Sequence, residues 1–588
     1  MSVDDLLTTA TAEQRPFEEI DVAAGARELV TGLLAHPWGQ VSASPYETGR
    51  MVGLAPWLAG HAERLDFLLA TQRSDGGWGA PDGYDLVPTL SATEALLAEL
   101  RREPAGPGRA VLAGAAHRGV GMLRRRSRPD SGPALPDMPA IELIVPSLVS
   151  LINGHLEAEG SSERLELPAG MNGVKLSVIR ARMASGAEVP QKLLHALEVV
   201  GEAADKASGV VPSPIAKTWG SPEATGEAGA PGSPAEAVAT IGASPAAGAA
   251  WLGTAGESDP ADPVRRYLEK VVAGFGGPVP CALPVTVFER GWTLSWLRRA
   301  GIPVDVPPEL VKSLDDGVGP VGGPAGPGLP PDADTTSVAL YALTLLGVAR
   351  EPDALWAYET DTHFCTWPGE EGASPTVNAH VLDAFGAYLR RDAGAVPRYA
   401  EAVDKLSAWL CGCQEAEGNW LDRWHASPYY ATACCSLALD EYGGAGSEGA
   451  VRRAVRWVLD SQRADGSWGR WEGTAEETAY ALQTLLLTGA AGEEGRLEAV
   501  ERGYRFLLGA VAGRGAPTDA PALWHDKDLY LPAAIVRAAI LGALHLAGHA
   551  LRAPRPDRPG AVIGGHRNSA GELYFTKRTN SHICPMSP

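Results

Sequence analysis

Gln414-Glu415-Ala416-Glu417-Gly418-Asn419-Trp420 has the form Q-x-x-x-G-x-W, which returns at Gln72, Gly76, Trp78 and at Gln462, Gly466, Trp468. An aromatic and then a branched aliphatic residue precede each copy: Phe67-Leu68, Trp409-Leu410 and Trp457-Val458. Degenerate copies follow Trp356 and Phe506-Leu507. Each unit reads as an amphipathic helix, a Gly-containing turn and a second, more apolar helix, as at 428–439 and 474–487. Such hairpins bury both faces only by stacking on neighbours, in a line or in a closed ring. The Gln is expected to cap backbone groups at a helix end, and the Trp to brace one hairpin against the next. Strand alternation is nowhere sustained, so the fold class is all-α.

A chain of 588 residues is too long for a single core and should divide into domains. The Gly/Ala/Pro/Ser-rich stretch 220–248 reads as a loop or linker, and the Pro/Gly-rich stretch 317–331 leads into the segment discussed next. Residues 1–20 and 551–588 lack periodicity and read as flexible ends. Fifty basic against 71 acidic residues give a net charge of −21, which disfavours nucleic acid and anionic membrane surfaces. The N-terminus lacks the pattern of a signal peptide, and no apolar run of about 20 residues is evident, so a cytoplasmic location without membrane insertion is expected. Seven cysteines suggest neither a disulfide framework nor a thiolate metal site.

Asp332-Ala333-Asp334-Thr335-Thr336-Ser337 places two carboxylates and three hydroxyls just before the apolar run 338–348. Taken alone, the segment is an ordinary helix N-cap. Together with the Q-x-x-x-G-x-W turns it resembles the class II terpene cyclase superfamily, whose D-x-D-D motif supplies a general acid from its middle Asp. The resemblance puts the acid on Asp334, with Thr335 in place of the last Asp. Other strings are similar to copalyl diphosphate synthases: Pro284-Val285-Thr286-Val287-Phe288-Glu289-Arg290-Gly291-Trp292, Leu194-His195-Ala196-Leu197-Glu198, Val145-Pro146-Ser147-Leu148 after Glu142, and residues 422–430, which read DRWHASPYY.

The resemblance implies two (α/α) barrel domains, with β formed by residues 21–57 plus 280–550 and γ, inserted into it, by 58–279. It implies protonation-initiated cyclisation of a prenyl diphosphate. No D-D-x-x-D run for ionising the diphosphate occurs, so that group is expected to be retained. A buried carboxylic acid beside a second carboxylate can stay protonated until an alkene arrives, and Asp332 is that neighbour. By the same resemblance Asn378 hydrogen-bonds the acid, although a buried helix amide fits it equally. Aromatic faces stabilise a carbocation without capturing it, and Trp292, Trp296, Trp367, Trp424, Tyr429 and Tyr430 are the candidates. Lys175 and Arg423 line up with diphosphate-binding bases, and Mg²⁺ is the implied cofactor, with Glu142 or Asp137 as its carboxylate. His195 occupies the place of a histidine that positions a deprotonating water, but Cys281 replaces the Asn that pairs with it.

Geranylgeranyl diphosphate is the expected substrate, giving a labdane-type or rearranged halimane or clerodane diphosphate. Farnesyl diphosphate giving drimenyl diphosphate is the alternative, and a triterpene cyclase the nearest enzymatic one. A protein prenyltransferase subunit would need a zinc set, which is not evident. A non-catalytic helical scaffold would explain the tryptophans but not the acid and the basic pair together. A homodimer is compatible with the sequence, and a class I terpene synthase would consume the product.

Overall fold

The computed structural model of the chain describes residues 20–102, 108–126, 135–162, 164–215, 237–253, 259–348, 350–391, 397–489, 495–513, 521–552, 562–567 and 573–578. After α1 (Val22–Ala35) come α2 (Pro45–Leu54), α3 (His61–Thr71), α4 (Leu86–Arg102), α5 (Arg109–Arg126), α6 (Ile141–Ala158), α7 (Val174–Ala184), the 3₁₀ segment Gln191–Ala204, α8 (Pro245–Leu252) and α9 (Pro263–Phe275). The chain continues through α10 (Thr286–Arg299), α11 (Pro308–Asp316), α12 (Ala333–Leu345), α13 (Pro375–Arg391) and α14 (Pro397–Gly412). It ends with α15 (Pro428–Tyr442), α16 (Glu448–Asp460), α17 (Ala475–Leu487), α18 (Arg496–Gly513), α19 (Ala533–Arg552) and a strand pair, Val562–Arg567 with Leu573–Arg578.

Packing closes these helices into two rings. In the larger, α10, α12, α13, α15, α17 and α19 each touch the next and α19 returns to α10; α1, α11, α14, α16 and α18 lie outside them. In the smaller, α2, α4, α6, the 3₁₀ segment and α8 close on α2, with α3, α5, α7 and α9 outside. Sequence dictates the two layers. Inner helices such as α12 and α17 are buried on nearly every side, whereas α16 buries one stripe, Ala450, Val451, Ala454, Val455 and Val458.

The repeated turns behave alike. The Gln Nε2 of Gln72, Gln414 and Gln462 donates to the carbonyl of its own turn glycine and, 2.9 Å away, to Ala115, Ala450 or Ala499 of the following outer helix. Trp78, Trp420 and Trp468 donate Nε1–H to the carbonyls of Leu68, Leu410 and Val458, the aliphatic residue of each preceding pair. Gly418 has φ +107°, and a Cβ there would sit 2.6 Å from the Arg453 carbonyl, so the turn requires glycine.

Four expectations need correction. Helix α2, placed with the larger unit by the boundary at residue 57, packs on α3, α4 and α8 as part of the smaller ring. The stretch 220–248 is not all linker: residues 237–248 run into α8, whose small residues let α9 approach until a Cβ at Gly248 would lie 3.2 Å from Val264; residues 216–236 lie outside the described ones. Within 551–588, two described segments pair as antiparallel strands, because Val562-Ile563 and Leu573-Tyr574-Phe575 favour extended backbone. Residues 1–19 lie outside the described ones. Finally, α6 and α19 are long and apolar enough to cross a membrane; α19 packs on α10, α17 and α18, and 72% of its apolar window is buried.

The rings meet at a short hairpin that pairs Trp524 with Tyr530 and His525 with Leu529. Its turn residues Asp526, Lys527 and Asp528 are buried rather than solvated. Lys527 crosses into the smaller ring and contacts Glu47 of α2, Glu198 of the 3₁₀ segment and Ser244 at the start of α8.

Candidate active site

Helix α12 begins with Asp332 as its N-cap, its Oδ1 accepting from the Thr335 N–H at 2.6 Å. Thr336 Oγ1 donates to the Asp332 carbonyl and accepts from the Gly323 N–H, tying the preceding loop to the helix start. Asp334 sits one turn position further and keeps 16% side-chain exposure. Its Oδ1 lies 2.6 Å from Nδ1 of His380 on α13. Burial opposes charging His380, but the Asp334 carboxylate outweighs it and holds the imidazole well above its usual value. One oxygen of Asp334 is thereby fixed by His380, and no hydrogen bond to its Oδ2 occurs among the described residues.

Asn378 is not the acid's partner. Its Oδ1 accepts from the Phe364 N–H and its Nδ2 donates to the Phe364 and Ser374 carbonyls, so the buried amide fastens the loop before α13. His380, two residues on, makes the contact with Asp334 that the resemblance gave to Asn378.

Around this pair stands a wall of rings. Trp292 meets His380 edge-on at 5.5 Å and donates Nε1–H to the Tyr430 hydroxyl at 2.8 Å. Phe288 and Trp524 complete it, Trp524 lying 4.8 Å from Tyr430 with its Nε1–H fixed by Glu476. Tyr429 faces away, against Trp457 of α16 at 4.7 Å, and is a packing residue. Trp296 packs on Tyr480 at 5.5 Å. Behind His380 a cavity bounded by Ser295, Arg299, Tyr341, Asp383 and Cys434 has room for about one water. Sequence reasoning missed Trp524 because its short strand carries no periodic signal.

Of the basic candidates, Arg423 lies at the seam of the rings and Lys175 on the smaller ring. Arg423 pairs with Asp137 at 2.8 Å and with Glu370 at 3.4 Å. Lys175 pairs with Glu142 at 2.6 Å on an exposed face. Trp367 and Trp424 meet edge-on at 5.4 Å, Lys192 lies 6.0 Å from the Trp367 ring, and both buried indole N–H groups have no partner among the described residues. This places these two tryptophans beside Arg423 and Lys192. No described group of three or more His, Cys, Asp or Glu could hold a metal ion. Mg²⁺ commonly takes one or two carboxylates and fills its shell with water and substrate phosphates; Asp137 and Glu142 are here paired with Arg423 and Lys175.

At the seam's other end His195 is wedged between the Gly242 carbonyl, 2.6 Å from Nδ1, and Asp526 Oδ1, 2.8 Å from Nε2. Burial alone would discharge it; Asp526 holds it raised. Burial also drives the Cys281 thiol well above its usual value, and Asp526 and Asp528 add to that, so it is no thiolate.

Several buried groups favour their protonated forms in the fold. Burial pushes Asp332, Glu289, Glu477 and Asp528 up to about 7, and His380 and His195 are raised. A group raised on folding contributes stability that is full below its unfolded pKa and lost as pH rises through its folded pKa. Carboxylates held low, such as Glu94 and Asp526, matter only below about pH 4. Thermal unfolding is therefore expected at a higher temperature near pH 6 than near pH 8. A melting temperature that rises with pH across that window contradicts it.

Residues 371–521 match the squalene-hopene cyclase C-terminal domain. Over 525 residues, 89% of this chain and 95% of the relative, the sequence is 42% identical to an ent-copalyl diphosphate synthase of Streptomyces sp. (strain KO-3988). It is 37% identical over 561 residues, 93% and 96% of the two chains, to a labda-7,13-dienyl diphosphate synthase of Streptomyces clavuligerus. Among solved structures, ent-copalyl diphosphate synthase from Streptomyces platensis aligns over 90% of this chain and 99% of its own at a TM-score of 0.80 and 42% identity.

Proposed function

Because this chain belongs to the class II diterpene cyclases of the copalyl diphosphate synthase type, we propose that it protonates geranylgeranyl diphosphate and closes two rings, giving a labdane-type diphosphate with the diphosphate retained. The observation that carries this reading is the Asp334–His380 pair set against Trp292, within the ring wall of Phe288, Tyr430 and Trp524. Asp334 gives its Oδ2 proton to the terminal alkene, and His380 holds the carboxylate left behind. The aromatic faces stabilise the cation and exclude water while the rings close. Arg423, Lys175 and Lys192 are the cations suited to the diphosphate, with Asp137 or Glu142 as the carboxylate that would hold Mg²⁺. Bound there, the metal would neutralise charge on the diphosphate.

A net charge of −21 and apolar helices packed on other helices support an enzyme working in the cytoplasm on a small molecule. The retained allylic diphosphate is the kind of group that a class I synthase ionises. The test is incubation with geranylgeranyl and with farnesyl diphosphate, each with Mg²⁺, then phosphatase and identification of the alcohol. A cyclic C20 alcohol supports the proposal; cyclisation of only the C15 substrate replaces it with the drimenyl alternative. Arg423→Ala and Lys175→Ala should raise KM by about tenfold with a smaller loss of kcat, since these groups bind ground and transition states alike. Unchanged KM in both variants removes them from the diphosphate site.

A further inference from the structure

Every turnover that starts by spending a proton from Asp334 ends by returning one, and the position of the acceptor decides which alkene leaves. The polar groups on and around the turn of the 524–530 hairpin can be compared one at a time. His195 faces oxygen atoms with both ring nitrogens, so both carry hydrogen and the ring has no lone pair to offer. Asp528 spends Oδ2 on Ser44 Oγ and the Tyr46 N–H and Oδ1 on the Leu529 N–H. The Lys527 ammonium is held by Glu47, Glu198, Ser244 and the His195 carbonyl. Cys281 is a neutral thiol. Asp526 differs from all of these. Its Oδ1 accepts from His195 and from the Lys527 N–H at 2.6 Å, while its Oδ2 has no partner among the described residues and the side chain keeps 12% exposure.

Asp526 also stands at the right end of the site. Trp524, two residues before it on the same hairpin, belongs to the aromatic wall, 4.8 Å from Tyr430, and Tyr530 pairs with Trp524 across the hairpin. The hairpin thus carries Asp526 in the turn beside a ring of the wall that surrounds the Asp334–His380 pair.

We infer that Asp526 Oδ2 is the base that ends the reaction, with His195 as the positioning residue that fixes the carboxylate through its other oxygen. The inference rests on the proposed cyclisation. In the step, a C–H bond beside the cationic carbon breaks, its electron pair becomes the alkene π bond, and the proton goes to Asp526 Oδ2. That proton then passes to solvent, and Asp334 regains one from solvent. A carboxylate is a weak base, but a carbocation is so strong an acid that position rather than basicity limits the transfer.

The test is product analysis of Asp526→Asn and Asp526→Glu beside the wild-type protein, with melting temperatures for each. Asp526→Asn is expected to fold and still consume substrate, with the ratio of the wild-type alkene to other isomers or a hydroxylated product falling by about tenfold or more. Asp526→Glu, which keeps the ion pair but moves the oxygen, should shift the ratio less. A wild-type product profile in Asp526→Asn overturns the assignment. So does loss of turnover in folded protein, because a terminating base is not needed for the first protonation, and so does failure of both variants to fold. If Asp526→Asn alone fails to fold, Asp526→Glu decides by its profile. A wild-type protein that forms no cyclic diphosphate overturns the proposed function itself, an outcome distinct from any confined to the variants.

Discussion

Asp334→Asn is expected to lower kcat/KM by about 10³-fold or more while leaving the melting temperature nearly unchanged. The amide keeps the shape of the side chain, and its oxygen can still accept from His380 Nδ1, so α12 and α13 stay in register. The helix start does not depend on it either, because Asp332 is the cap and Thr336 ties the loop. What is lost is an acidic proton within the aromatic wall, and no other described carboxyl bonds to His380 there. Asp332 cannot stand in: it is the buried cap of α12, and its carboxyl is held by the N–H groups of both Thr335 and Ala325. Steady-state cyclisation of geranylgeranyl diphosphate, with circular dichroism melting alongside, is the measurement. Near wild-type turnover would remove Asp334 as the acid.

The turns were legible in the sequence because each residue in them answers a backbone demand. Glycine is needed at a positive φ against the next helix, Gln supplies donors for two carbonyls, and Trp closes a third. The start of α12 at Asp332 was legible for a related reason, since Asp and Thr are preferred at a helix N-cap, while the acid role proposed for Asp334 came from the family resemblance. Its partner was not. Residues 378 and 380 are about 200° apart around α13, both are buried, and only the neighbouring chains decide which one meets α12. Tyr429 and Tyr430 pose the same problem at about 100°, and one turned out to face the rings while the other faces an outer helix. Helix α2 was assigned to the wrong ring because Pro45–Leu54 is buried on most of its surface and carries no stripe that names a partner. The hairpin was the least visible element, because Trp524-His525-Asp526-Lys527-Asp528 has the composition of a solvated turn and nothing local says that two rings close over it.

That closure makes Lys527→Met the substitution with the largest expected cost to the fold. The ammonium is fully buried, paired with Glu47 at 2.7 Å and Glu198 at 3.2 Å, and donates to the His195 carbonyl and Ser244 Oγ. Burial disfavours its charge, yet Glu198 and Glu47 outweigh that and hold it above its usual value. Removing it leaves the fully buried Glu47 and Glu198 facing each other, with the Tyr46 hydroxyl as the remaining donor to Glu198. Stranding buried charge in this way costs about 3–5 kcal/mol, which corresponds to a fall in melting temperature on the order of 10 °C. The loss should be largely recovered when Glu47→Gln and Glu198→Gln are added, since a neutral cluster of similar volume often matches the ion pairs it replaces. Unfolding followed by intrinsic fluorescence on the single and triple variants measures both quantities. If Lys527→Met melts with the wild type, the rings are held together elsewhere; if the triple variant is no better than the single, the cost comes from lost packing at the hairpin and not from unpaired charge.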